Sequence, residues 1–289
     1  MSLIPFAFLL AAVLGLWIHR WLWIAALVIS IAAGYATGAL YGLAGVWIAI
    51  LAGLALLYRW VRSQPSSVLM KFARVAAGIL LFAFALALAL VLLPGFPRTT
   101  LVEPTVLSSG AVPYGMGLGF PKVVAGILIL GLVTETRVRS WPELLEVLRR
   151  TAPIFLGTLI AVIACAWSLG YVKWDPKWTT LFLVWAPVNL FFTCLAEEAF
   201  FRGFVQHELA RIGSRPRITA VAAVAVAAVL FGLVHFAGGW KYVAAGIVAG
   251  VGYGWAYHRT QRIESAMAVH FGVNAVHFLL FTYPGLASA

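Results

Sequence analysis

The sequence predicts an all-α protein, a polytopic bundle of roughly eight to ten transmembrane helices, and three observations predict it. First, 63% of the 289 residues are hydrophobic, 10% are charged and the mean hydropathy is +1.00, far more apolar than a water-soluble core requires. Second, apolar runs approaching the roughly 20 residues that cross a bilayer as a helix recur from one end of the chain to the other. Third, most of the 20 Lys and Arg residues, against 9 Asp and Glu, gather in the short gaps between those runs. Basic residues so placed read as topology signals, not as a nucleic-acid surface, and no nucleic-acid partner is expected.

Ten segments fit the spans: 3–18, 21–42, 44–58, 75–94, 121–134, 151–171, 179–200, 218–237, 242–257 and 265–283. Two short ones, 44–58 and 121–134, are also compatible with re-entrant segments. With the gaps assigned alternately, one side collects 14 basic residues, among them Arg59, Arg62, Arg137, Arg139, Arg211, Arg215, Arg217, Arg259 and Arg262. The other side collects 5: Arg98, Lys122, Lys173, Lys177 and Lys241. This bias puts the first side in the cytoplasm and both termini outside. The N-terminal stretch lacks the basic region of a signal peptide, so the first span is expected to be retained.

Three regions are expected: N-terminal transmembrane helices over 1–94, a connecting loop over 95–120, and a C-terminal unit over 121–289. The loop is rich in Pro and Gly and long for a bundle, as a separator or a lid would be. Between the fifth and sixth spans, Trp141, Leu144, Leu145 and Leu148 alternate with Glu143, Glu146, Arg149 and Arg150 at helical spacing, predicting an amphipathic helix at the cytoplasmic interface. Cys165 and Cys194 lie in apolar spans without the spacing of a disulfide framework or a zinc knuckle.

Candidate chemistry is confined to the last third. Glu197 and Glu198 stand side by side in an apolar stretch, where one carboxylate costs about 3 kcal/mol to insert, so each needs a partner or a task. Glu198 and Arg202 are four apart and share a helix face, whereas Glu197 has no partner nearby in sequence and is the freer carboxylate. Asn189 and Thr193 precede it at intervals of four, extending a polar stripe after Pro187. A second constellation is Phe231-Gly232-Leu233-Val234-His235, and a third is His270-Phe271-Gly272-Val273-Asn274, with His270 and Asn274 on one face. A carboxylate and an imidazole can hold and deprotonate a water, and a second imidazole with a carboxamide can donate to a developing oxyanion. Straight helices would leave His235 near the outer end of its span and His270 near the inner end of its own, so the spans must be offset, broken or tilted.

Plainer readings apply to several of these groups. A buried Glu-Arg pair is more often a clamp than a catalyst, which assigns Glu198 and Arg202 to support. His207 and His277 read as hydrogen-bonded structural groups, and Cys194 as packing. Gly238 and Gly239 read as a turn, and Gly246, Gly250, Gly252 and Gly254 as close helix packing.

Taken in order, Glu197-Glu198-x-x-x-Arg202, Phe231-x-x-x-His235 and His270-x-x-x-Asn274 resemble the three motifs of the CPBP family, the intramembrane glutamic endopeptidases that include the CAAX-processing enzyme and bacterial Abi-type proteins. Every motif position is filled, over roughly 180–280. The resemblance implies that region 121–289 is an intramembrane protease unit. In it Glu197 and His235 activate the attacking water, His270 and Asn274 hold the oxyanion, and Glu198 and Arg202 support the site. Members of the family are often labelled metalloproteases, and Glu with two His is a possible zinc set, but the histidines lack the HExxH spacing and the pattern suits a metal-free site equally well, so no metal and no other cofactor is the expectation. The expected partners are membrane lipid and a peptide or protein substrate, lipidated or C-terminally tagged. The expected place is the bacterial inner (cell) membrane. Two other classes of function compete: a non-catalytic immunity or scaffold protein of the same fold, and a proton-coupled transporter. The near absence of ionisable residues from the first four spans disfavours the transporter.

Overall fold

A computed structural model describes residues 2–211 and 216–287, so Arg215 of the topology assignment lies outside the described residues. The chain is helical almost throughout: α1 Ile4–Gly15, α2 Arg20–Ala36, α3 Ala44–Ser63, α4 Val68–Ala89, α5 Phe120–Val133, α6 Trp141–Ser168, α7 Leu181–Leu209, α8 Pro216–Leu233, α9 Trp240–Thr260 and α10 Ile263–Leu280. Among the described residues, α3, α4, α6, α7 and α10 are long and apolar enough to cross a membrane, and α1, α2, α5 and α8 are shorter apolar helices. The ten predicted segments correspond one to one with the ten helices, and the all-α bundle expected from composition is the fold observed.

Local signals explain the boundaries. Ser67 caps α4 by accepting from the Met70 N–H at 3.2 Å, and Ser140 caps α6 through the Glu143 N–H at 3.3 Å. Proline occupies the first turn of α1, α5 and α6, where its missing N–H leaves nothing unsatisfied. Large apolar side chains such as Leu69, Phe72, Ile79, Ile160 and Leu183 point outward on the long helices, more than 60% exposed. Such surface is stable only against lipid.

Two expectations change. The amphipathic stretch 141–150 is not a separate interfacial helix: it runs on through Pro153 into the sixth span as the single 28-residue α6. Proline is tolerated there because a membrane helix can re-satisfy the freed carbonyl locally. The connecting loop contains a two-stranded hairpin, β1 Thr99–Thr105 and β2 Tyr114–Leu118.

The chain divides into two compact units. One comprises residues 1–99, 118–135 and 191–200; the other comprises 100–117, 136–190 and 201–289. In the first, α1 and α2 form a hairpin, α3 and α4 another, and α5 packs against α1, α3 and α4. In the second, α9 packs on α6, α8 and α10.

The second unit has two distinct ends. At one, Arg262 pairs with Glu143 at 2.5 Å, the Ile263 N–H donates to the Thr136 carbonyl and His207 meets the Tyr257 hydroxyl at 2.9 Å. At the other, residues 171–177 pair with the segment following α10: the Thr282 N–H donates to the Lys173 carbonyl, the Asp175 N–H to the Leu280 carbonyl, and Tyr171 stacks on Tyr242. In this loop a hydrogen bond from Ser108, and then Lys177 with its ammonium 3.2 Å away, hold the Asp175 carboxyl below the usual aspartate range. A depressed folded pKa contributes stability above the unfolded value of about 4 that is lost as the pH falls below it. The melting temperature of Asp175→Asn should therefore decline less than that of the parent between about pH 5 and pH 3. Parallel declines would remove the role assigned to this carboxylate.

Candidate functional site

The first motif lies on α7, which is not a regular α-helix. Asn189–Cys194 and Ala199–Gln206 are π-helical and flank a short α-helical turn at Leu195–Glu198. Pro187, which cannot donate to the preceding turn, stands just before the first wide segment. Wide turns of this kind recur at functional sites. They also widen the backbone hydrogen-bond register over 199–206 from four residues to five.

Within the first unit, Glu197 Oε1 accepts from Lys122 Nζ at 2.5 Å. The side chains are 11% and 29% exposed, whereas Glu198 is fully buried. The approach of α5 to α7 that makes this pair depends on Gly126, one turn beyond Lys122. A Cβ at Gly126 would come within 2.8 Å of the Ala196 Cα. The reading of Glu197 as the freer carboxylate is thus corrected: its partner stands 75 residues away in sequence.

The sequence signal that could have found Lys122 is that it is the single charge in an apolar segment. Its place near one end of that segment made it look like a topology residue. Replacing it by Met should strand the carboxylate at bilayer depth and destabilise the protein by roughly 3 kcal/mol. Combined with Glu197→Gln, the loss should be much smaller than the sum, as thermal melting in detergent can test. Additive losses would mean that the pair is not coupled.

Within the second unit, side chains from all three motifs meet on two aromatic rings. The Arg202 guanidinium is fully buried, donates to the Gly250 carbonyl at 3.0 Å and lies over Phe231 at 4.6 Å and Tyr253 at 5.2 Å. Its charge is thereby offset by a carbonyl dipole and two ring faces. His270, 3% exposed, stacks on Tyr253 with centroids 4.5 Å apart and meets Phe231 edge-on at 5.6 Å. His235 lies in the turn after α8, 4.7 Å from Phe231 and 5.2 Å from Tyr242. Asn274 donates from Nδ2 to Asn189 Oδ1 at 3.2 Å.

The two imidazoles that straight helices would have placed at opposite depths therefore touch a common ring. α8 and α9 approach closely, since a Cβ at Gly250 would meet the Ala228 Cα at 2.8 Å, and the Phe231 side chain spans the remaining offset. Phe231 was read as a motif residue and Tyr253 was not singled out. Aromatic residues on apolar helices are too common for sequence to mark them.

His235 Nδ1 lies 2.6 Å from the Phe231 carbonyl. A carbonyl oxygen only accepts, so Nδ1 carries the hydrogen, and the neutral ring then presents an unprotonated Nε2. That nitrogen has the lone pair a proton acceptor needs.

Other readings find their places. His207 and His277 are hydrogen-bonded, the latter to the Thr282 carbonyl at 3.1 Å, and Cys194 is fully buried. Gly239, at φ +83°, makes the turn before α9. Among the described residues no three His, Cys, Asp or Glu side chains converge as metal ligands would.

Residues 178–276 match the family model described as Rce1-like, Type II CAAX prenyl endopeptidase. The match covers about a third of the chain and contains the three polar motifs. No curated protein and no solved structure matches the chain. The motifs and the family model thus agree: the C-terminal segment is similar to the Rce1-like, Type II CAAX prenyl endopeptidases, and the long apolar helices make the chain an integral membrane protein.

Proposed function

We propose that the protein is an intramembrane endopeptidase of the glutamic type, hydrolysing a peptide bond in a membrane-associated substrate with a C-terminal tag or lipid group. It would act in the inner membrane of a bacterial cell. Glu197 and His235 activate the attacking water, His270 and Asn274 stabilise the oxyanion, and Glu198 and Arg202 support the site without a metal ion.

The observation that carries this reading is the gathering of Arg202, His235 and His270 around Phe231, with Tyr253 stacked on His270, in a segment similar to a prenyl endopeptidase family. His235 spends Nδ1 on the Phe231 carbonyl, which leaves Nε2 as the ring nitrogen that can take a proton in the proposed role. Asn189 Oδ1 accepts from the Asn274 amide, which fixes the orientation of the proposed oxyanion carboxamide.

The test is proteolysis of a membrane peptide library by the purified protein in liposomes, with products read by mass spectrometry, in the parent and in Glu197→Gln, with and without chelator. Cleavage that is lost in the variant and kept with chelator supports the metal-free glutamic reading. Chelator-sensitive cleavage replaces it with a metal mechanism. A stable parent with no cleavage activity favours an immunity or scaffold role.

A further inference from the structure

We infer that the groove between α6 and α9 is a binding site for an anionic phospholipid, with one acyl chain lying in the groove and the phosphodiester against Arg150 and Arg259 at its mouth. Both helices belong to the second unit, and the proposed peptidase chemistry uses none of the residues involved.

Small residues build the groove. Ile154, Gly157 and Ala161 of α6 and Val248, Gly252 and Trp255 of α9 line a volume of about 580 Å³. The helices touch at its floor, where a Cβ on Gly252 would collide with the Thr158 side chain. A Cβ on Gly157, by contrast, would meet nothing within 4 Å, so the groove stays open beside it. Leu156 and Ile160 on the same helix are 56% and 69% exposed, a surface stable against hydrocarbon and not against water.

Its length indicates what it seats. The lining on α6 runs from Pro153 to Ala161, about 12 Å of helix rise. A partner helix spanning the membrane would follow roughly 30 Å of hydrocarbon, so the groove matches part of one acyl chain better than a helix.

Charge indicates which lipid. Arg150 lies four residues before Ile154 and seven before Gly157, and Arg259 lies four after Trp255 and seven after Gly252, so both stand on the lining faces, one turn beyond the groove. They stand at the same end of it, because the Arg262–Glu143 ion pair ties α9 to α6 farther out in the same direction, at 2.5 Å. Arg259 is exposed, and the Arg149 and Arg150 side chains are 84% and 63% exposed. Glu146 lies 2.7 Å from Arg150 and 3.9 Å from Arg149, and Glu143 is matched by Arg262. Arg149, Arg150 and Arg259 against Glu146 leave a surplus of two positive charges at the mouth. Partly exposed His258, its ring 5.3 Å from that of Trp255, joins the cluster to the lining. A basic cluster continuous with an apolar groove between membrane helices is what holds a phosphate headgroup together with its chain.

Trp255 reports occupancy. The full-length protein is placed in phosphatidylcholine liposomes in which brominated acyl chains are carried either by phosphatidylglycerol or by phosphatidylcholine, and the quenching at Trp255 is read as the difference between each protein and its Trp255→Phe counterpart. Brominated phosphatidylglycerol is expected to quench at a mole fraction lower by roughly fivefold or more, since one arginine near the surface favours an anionic lipid by about that factor. Arg150→Gln combined with Arg259→Gln should abolish the preference, and exposed charges of this kind carry little of the stability. Gly157→Leu fills the groove while keeping both arginines and should remove most of the Trp255 quenching.

Equal quenching by the two lipids would mean ordinary lipid contact only and overturns the inference, as does a preference that survives the double arginine variant. Unchanged quenching in Gly157→Leu overturns the seat of the acyl chain. Quenching by neither lipid would mean that a partner helix or a second copy of the chain covers Trp255, which also overturns it. No cleavage is measured, so the outcome is independent of the peptidase reading.

Discussion

Glu197→Gln removes peptide hydrolysis while leaving the fold in place. The substitution is isosteric: the amide oxygen can still accept from Lys122 Nζ, as Oε1 does in the parent, but the side chain no longer takes a proton from water. Loss of a general base typically costs about 10²–10⁴ in rate, and that is the fall expected in kcat. His235→Ala should match it in direction, because Nε2 of that ring is the second proton acceptor proposed. His270→Ala or Asn274→Ala should cost about 10²–10³, as removal of one oxyanion donor does. The decisive comparison is between activity and melting temperature measured on the same preparation. A Glu197→Gln protein that cleaves at the parent rate ends the glutamic mechanism. One that melts far below the parent and is inactive for that reason moves the pair from catalysis to structure.

Gly232→Val should be the most destabilising substitution at the helix crossing that sets the site. A Cβ at this position would collide with the Ile247 side chain and lie 2.8 Å from the Val243 carbonyl oxygen and 3.0 Å from the Ile247 amide nitrogen. Two of those contacts are backbone, which cannot rotate away, so α8 and α9 must separate. Overpacking of this kind costs roughly 1–3 kcal/mol or more, and a β-branched side chain sits at the upper end. Because Gly232 stands between Phe231 and His235, the same displacement should also loosen the ring contacts on which the imidazoles rest, so kcat falls along with stability. Gly53→Ala provides the contrast. Nothing lies within 4 Å of a Cβ there, and alanine is the better helix former, so its melting temperature should stay level or rise slightly. Equal behaviour of the two variants would mean that the α8–α9 approach is not the constraint described.

The periodic signals were legible in the sequence, and the long-range ones were not. The helices could be read because each contains an apolar run whose length is fixed by bilayer thickness, whereas the starts capped by Ser67 and Ser140 lie seven and ten residues before the predicted spans, outside the apolar runs. The small residues of α9 could be read as packing for the same reason, as a stripe on one helix. The continuation of the 141–150 segment into α6 was obscured because Pro153 looks like a boundary when only the local pattern is considered. The π-helical turns around Glu197 and Glu198 could not be seen, because the five-residue register they impose leaves no distinct pattern of residue types.

Hydropathy and spacing act over one helix at a time, so the all-α membrane architecture, the order of the helices and the residue types available for chemistry can be read from the amino acids alone. Which side chains stand beside one another follows from the packing of the helices. It gave Glu197 its ammonium partner from α5, turned Phe231 into the ring that joins two histidines expected far apart, and set Tyr253 under His270. These are contacts between helices remote in sequence. They depend on how closely glycines let backbones approach and on how the helices tilt, and neither quantity is encoded in the hydrophobic period of any single span.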